Sequence, residues 1–375
     1  MPPYGGCASV VPGIDVAGAL HMSSRTASAI AILDEFAAAT GLTSSRPPRR
    51  YLWTDAFAAS TWVGLREETG DAGFLDLALR LVERVHHVLG RYAPDEARRG
   101  WLSGLDDAQG EAHPTARGLR IGKPLPERAP REPYDSELEW DRDGQYFHYL
   151  TKWMQALAGV ARASSDERYS QWARELAQAA HRAFVHPRGM YWKMSVDLTR
   201  PLVASMGLHD PLDGAATFAS LGLADETATM LRMCTGRSFA SDDSLGAGGL
   251  LVDALHLVRL VAQGHAELHP LATQVLQDAE VSADAVARSG FMRLPAERRL
   301  AFRELGFALG LHAVAPLADY AGLERLQAHV PLATALEDFW LEPAHQAAAS
   351  WTEHADINAV TLAATLAPRG ALAAG

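Results

Sequence analysis

Segment after segment of this chain carries apolar residues at the three- and four-residue spacing of a buried helix face. Glycine or proline punctuates their ends, where those residues cost least, and that pattern confines the chain to an all-α architecture. The spacing predicts helices over Ser24–Ala39, Trp53–Glu68 and Ala72–Leu89, stopped by Gly41, Gly70 and Gly90. It continues over Arg142–Arg162, Asp166–Phe184, Pro211–Leu221, Asp225–Met233 and Gly246–Val261. Glu267–Arg288, Ala296–Ala313, Pro316–His329, Leu332–Trp340 and Ala344–Leu366 complete the set, with almost no credible strand between them.

An internal repeat adds an arrangement. Thr69-Gly70-Asp71 leads to Phe74, Ala78, Leu81 and His86, and Ser164-Ser165-Asp166 leads to Tyr169, Ala173, Leu176 and His181 at the same offsets. In each block the Asp caps a helix that then offers an aromatic, a small residue and a Leu to a neighbour. A fainter copy starts at Asp319.

Composition removes several functions. The 375 residues are 48% hydrophobic with a formal net charge of −11, which suits a folded protein and lacks the basic face a nucleic-acid binder needs. No apolar run reads as a membrane span, and Cys7 and Cys234 have neither disulfide-framework nor zinc spacing. The expectation is a soluble, cytoplasmic protein with no cofactor and no metal. Residues 1–23 read as a disordered head without a signal peptide, residues 24–366 as one domain, and residues 367–375 as a frayed Ala/Gly-rich tail. Two stretches interrupt the helices. Residues 91–139, rich in Pro and charge, are expected to form a lid that presents Trp101 or Lys123 at the site. In Gly189–Asp210 a period of two sets Tyr191, Lys193, Ser195 and Asp197 on one face, beside Trp192.

Helical hairpins joined by a Thr-Gly-Asp-type turn followed by Phe or Tyr resemble the (α/α)6 barrels of the six-hairpin glycosidase superfamily. That group includes unsaturated uronyl hydrolases, many glycoside hydrolases and, in a related barrel, the N-acylglucosamine 2-epimerases. The resemblance is one of pattern over residues 24–366, and it implies sugar chemistry in a barrel mouth formed by helix ends and loops.

Candidate chemistry falls in three main clusters and two lesser sites. In the first, Asp141, Gln145, His148 and Lys152 form a polar helical stripe suited to proton transfer, with Asp143 beside it and Tyr146 and Tyr149 as a sugar platform. One of Asp141 and Asp143 serves equally well as an N-cap. Lys152 and Lys193 gain weight because lysine occurs only three times in the chain. The second cluster, His209-Asp210, enters a helix as an oriented base or as a cap. The third sets Trp351, His354 and Asn358 on one face of the closing helix, with Asp356 adjacent. Trp53 and Asp55, which open an inner helix, and Ser241-Asp242-Asp243 complete the candidates. Asp141 and His148 are expected at the centre. The residues point to a carbohydrate-active enzyme, hydrolase-like through paired carboxyls or epimerase-like through histidines, acting on a small sugar. The alternatives are an isoprenoid cyclase-like enzyme, since Asp141-Arg142-Asp143 resembles part of a D-x-D-D motif with Gly144 in the last place, and a sugar-binding or scaffold barrel without catalysis.

Overall fold

The computed structural model describes residues 23–317 and 323–373. The expected head and the faint repeat at Asp319 therefore fall outside the described residues, apart from Ser23. Numbering only the long helices, the chain forms α1 (Ser24–Ala39), α2 (Leu52–Thr69), α3 (Ala72–Leu89), α4 (Phe147–Ser164), α5 (Glu167–Phe184) and α6 (Asp210–Ser220). It continues as α7 (Ala224–Cys234), α8 (Ser244–Ala262), α9 (His269–Arg288), α10 (Ala301–His312), α11 (Pro331–Leu341) and α12 (Ala355–Leu366).

The even-numbered helices form an inner ring, because α2 packs on α4, α4 on α6, α6 on α8, α8 on α10, α10 on α12, and α12 again on α2. Each odd-numbered helix packs outside one of them: α3 on α2, α5 on α4, α7 on α6, α9 on α8, α11 on α10, and α1 on α12. This is the (α/α)6 barrel. Burial follows the layers. Outer α3 buries one stripe, Ala78, Leu81, Val82, Val85, His86 and Leu89, while inner α8 buries residues around its whole circumference. That is why Ser244–Ala262 is long and apolar enough to cross a membrane, against the expectation from sequence; two-thirds of it (67%) is buried within the protein. Glycine allows the tightest ring contact. A Cβ on Gly248 would lie 2.1 Å from the Gly306 carbonyl oxygen, so α8 and α10 touch backbone to backbone.

The repeat has a structural meaning. Asp71 caps α3 by accepting from the Gly73 N–H, and Asp166 caps α5 by accepting from the Arg168 N–H. The two histidines then face inner helices: His86 accepts from Trp153 Nε1 at 3.1 Å, and the His181 ring meets Phe218.

Several expected boundaries give way to tertiary contacts. The helix expected from Arg142 starts only at Phe147, because Gln145–Tyr146 (β1) pairs with Lys193–Met194 (β4), which pairs with Pro201–Val203 (β5). Gly144 makes the turn with φ +149°, where a Cβ would lie 2.8 Å from the Met194 carbonyl oxygen. Val185–His186 (β2) and Gly189–Met190 (β3) form a second small hairpin. The helix expected over Ala296–Ala313 breaks at Arg299–Leu300, and within Pro316–His329 only Glu324–His329 is α-helical among the described residues. The closing helix expected from Ala344 is three pieces, Pro343–Gln346, Ala349–Thr352 and α12.

Residues 91–139 dock as a side layer beside the start of α2 and the end of α3, and none of them lines the cavity that the inner ring encloses. Leu52 N–H donates to Ile121 O and Ile121 N–H to Gly144 O, which threads this layer between the start of α2 and β1. Arg120, ion-paired with Asp143, ties it to the end of α3 by donating to Val88 O and Arg91 O. The expected frayed tail is ordered through Ala373. Its helix Arg369–Leu372 packs against α2, with Arg162 and Arg259 donating to the Ala373 and Leu372 carbonyls. A Cβ on Gly370 would lie 1.7 Å from Ser60 O. Replacing Gly370 by Val is therefore expected to destabilise the protein by about 2–3 kcal/mol through overpacking, read as a lower urea midpoint. The same change at Gly249, which has open space around it, serves as the comparison.

Candidate active site

The inner ring encloses a cavity of about 390 Å3. Helix geometry sets its depth. Trp53, His148, Asp210 and Leu245 line it from the first or second residue of α2, α4, α6 and α8. Ser60, Gln155, Asp253 and Leu309 line it from eight or nine residues into α2, α4, α8 and α10, about 12 Å further along. Gly370 and Ala371 of the tail helix also line it, beside Ser60.

The upper wall is aromatic. Trp53, Phe57, Trp140 and Trp192 line it, and the Trp192 ring lies nearly parallel to His148, 13° between planes at 6.1 Å. Flat rings of this kind suit the C–H face of a sugar. Trp140, 52% exposed, meets Trp192 edge-on at 5.3 Å.

The polar groups divide by charge. Asp213 accepts from Lys152 Nζ at 2.9 Å, from Gln155 Nε2 at 3.3 Å and from the Thr151 hydroxyl. Burial works against its charge, but the Lys152 ammonium and these donors hold its pKa below the ordinary carboxylate value. Lys152 is likewise buried, and Asp213 and Asp253 keep its pKa raised. Asp210 has no such cation. Burial pushes its carboxyl up to about 7, partly offset by the Gly207 N–H that donates to Oδ2 at 3.0 Å. The other oxygen lies 3.8 Å from His148 Nδ1. Burial lowers His148 to about 4 and lowers His209 as well, so both rings are neutral at pH 7. His209 Nε2 lies 2.7 Å from Phe239 O, which makes it the N–H donor of the neutral ring and leaves the lone pair on Nδ1. Asp253, buried in α8, is pushed up to about 8 by burial and by Asp213.

Of the residues expected at the site, Trp53, His148, Lys152, Trp192, His209, Asp210, Ser241 and Asp243 line this cavity. Asp141 does not. It ends a separate short helix, Ser136–Asp141, and is exposed, because the β1 pairing takes up the residues that would have joined it to His148. Asp143 is buried in its ion pair with Arg120 and accepts from Gly122 N–H. Gln145 accepts from Leu119 N–H and donates to the Arg117 and Val196 carbonyls. Tyr146 and Tyr149 are buried against Trp192 and Trp53, with the Tyr149 hydroxyl bonded to that of Tyr51. Tyr191 packs on His186, and Lys193 is buried, donating to the Glu139 and Arg142 carbonyls.

Asp55 points to the ring wall, where it pairs with Arg50 and accepts from Tyr51 N–H. Trp101 lies under Arg91 and against Gly110, and Lys123 sits over the Tyr51 ring. Trp351 stacks on Trp340, and Asn358 bridges Phe302 N–H and Trp351 O. His354 is exposed before α12, and Asp356 pairs with Arg49. The break in the closing helix separates these four from the stripe expected of them. The cavity also holds Asp213, Gln155 and Asp253, which the sequence reading did not select. Asp253 carries a visible signal, a lone carboxylate in the middle of an apolar helix.

Among the described residues no group of three or more His, Cys, Asp or Glu is arranged to hold a metal ion. No protein-family model matches the sequence, and neither does any curated protein. Solved structures do match. An inactive variant of an alpha-1,6-mannanase from Salegentibacter sp. HEL1_6, in complex with alpha-1,6-mannotetrose, superposes with a TM-score of 0.57 at 12% identity, covering 94% of this chain and 100% of that one. Cellobiose 2-epimerase from Spirochaeta thermophila superposes with a TM-score of 0.51 at 13% identity, covering 92% and 99%. The likeness is one of fold, that of the six-hairpin barrels.

Lys152→Met strands the Asp213 carboxylate without its cation and is expected to cost about 3–5 kcal/mol in urea unfolding at pH 7. Because the pKa of Asp213 is depressed in the native protein, its contribution is present at neutral pH and fades as pH falls through that value. The penalty should accordingly shrink in acid, and Lys152→Met with Asp213→Leu should recover most of it at pH 7.

Proposed function

We propose that the protein is a carbohydrate-active enzyme that cleaves a glycosidic bond with Asp210 as proton donor and Asp213 as the ionised carboxylate. The observation that carries this is a pair of carboxyls with opposite environments in one aromatic-walled cavity: Asp213 is held charged by Lys152, and burial pushes the Asp210 carboxyl up to about 7, the range that suits a proton donor. Glycoside hydrolysis needs that division, an acid to protonate the leaving oxygen and a carboxylate to assist attack or oppose the developing positive charge. The wall of Trp53, Trp140 and Trp192 supplies ring-stacking surface for the sugar.

One observation favours a second reading, sugar epimerisation. His148 and His209 are both neutral imidazoles on the cavity wall, which suits two proton carriers at one carbon. Incubating the enzyme with mannobiose or cellobiose in D2O separates the two. Hydrolysis yields monosaccharides without deuterium on carbon, whereas epimerisation conserves the disaccharide and exchanges the C2 hydrogen. The same reading treats residues 24–366 as one domain of a soluble cytoplasmic enzyme, consistent with the free, buried Cys234.

Asp210→Asn keeps an acceptor for the Gly207 N–H but no acidic proton. It is expected to lower kcat at least about 100-fold with an unchanged melting temperature. In the wild type, activity should fall as pH rises through about 7, where Asp210 loses its proton. It should also fall in acid, below the ordinary carboxylate range, where Asp213 gains one. A hydrolase that retains full activity and the alkaline limb in Asp210→Asn would refute the assignment.

A further inference from the structure

Asp253 makes no hydrogen bond among the described residues. It is 3% exposed, its Oδ1 is fully buried without a partner, and it lines the cavity from the third turn of α8. A carboxyl with one oxygen buried and nothing donating to it costs stability unless a ligand completes it. Lys152 from α4 and Asp213 from α6 lie near enough to shift its proton affinity, and His148, Gln155, Asp210 and Asp243 share the cavity with it. None donates to it; Lys152 Nζ donates instead to Asp213 and Gln155.

Charge in the cavity is lopsided. Asp210, Asp213, Asp243 and Asp253 line it; Lys152 pairs with Asp213 and Arg303 with Asp243, which leaves Asp210 and Asp253 without a cation, and no arginine lines the cavity itself. The chain has 34 Lys and Arg, of which all but Lys123, Lys152 and Lys193 are Arg, so an anion-binding guanidinium would have been the common choice had an anionic sugar been the ligand. Instead the inner end holds an unpaired carboxyl beside Ser60 and Gln155, with Ala371 of the tail helix also in the lining.

We propose that the inner end of the cavity is an ammonium subsite, in which Asp253 receives the protonated amine of an amino sugar. The proposal rests on the carbohydrate reading above and gives it a substrate class: a terminal ring with a free amine in place of one hydroxyl. A bound ammonium balances the charges as two carboxylates, Asp213 and Asp253, with two cations, Lys152 and the ligand. A uronate or sugar phosphate adds a further negative charge where no free cation exists to meet it. Because burial keeps Asp253 protonated in the empty site at pH 7, capture of an ammonium releases one proton to solvent.

Isothermal titration calorimetry of the full chain at pH 7, in two buffers of different ionisation enthalpy, tests this. The probes are glucosamine, glucose and glucuronate, and mannosamine, mannose and mannuronate. The expected result is an amine bound at least tenfold tighter than its parent sugar, no saturable uronate binding, and release of nearly one proton with the amine alone. Asp253→Asn should remove both the tenfold preference and the proton release. Equal affinity for amine and parent in the wild type overturns the subsite and leaves the carbohydrate reading standing, as does a preference that survives in Asp253→Asn. Tighter binding of a uronate overturns the charge argument. Saturable binding of none of the six sugars overturns both readings. The proton count in the wild type decides the matter even where Asp253→Asn fails to fold.

Discussion

Closure of the inner ring is the constraint on which everything else in this protein depends. An inner helix is covered outside by its hairpin partner and on both sides by its neighbours, so its only remaining opening is toward the barrel axis. The last contact, α12 on α2, and the packing of α1 against α12 join the two ends of the chain. The tail helix is part of that closure, since Gly370 rests on the backbone of Ser60 and Gly64 and two inner-helix arginines hold its carbonyls. Glycines at the α8–α10 crossing serve the same end by letting backbones touch.

A ring of this kind makes the axial cavity the place where polar groups can be buried among apolar helices, and this explains the chemistry found there. Asp213, Lys152, Thr151 and Gln155 satisfy one another across α4 and α6. Asp210, His148, His209 and Asp253 are left without charged partners, and their proton affinities shift as burial dictates. The site thus combines a locked ion pair with several groups that burial keeps uncharged. Its aromatic wall draws on three separate segments, α2 for Trp53, the short helix ending at Asp141 for Trp140, and the stretch before β4 for Trp192.

The small sheet β1–β4–β5 has an effect out of proportion to its size. By holding Gln145–Tyr146 extended, it detaches Asp141 from the helix of His148 and leaves Trp140 free to reach the cavity beside Trp192. The side layer of residues 91–139 is fixed to the same strand through Gly144 O. A helical spacing of seven between Asp141 and His148 was therefore no guide to their geometry.

The sequence by itself determined the helices, the repeat capped by Asp71 and Asp166, and through them the barrel, because helical periodicity and capping are local properties. It also singled out Trp53, His148, Lys152, Trp192, His209 and Asp210, residues at or near helix starts whose polarity or size stands out from their neighbours. Only the tertiary structure decided which polar residues are spent. Asp143, Gln145, Lys193 and Asn358 look as reactive in sequence as Asp210, yet each meets a partner far along the chain or a backbone group that a strand or loop brings to it. Asp253 is the reverse case: its place in an apolar helix is visible in the sequence, but only the closed ring shows that it has no partner.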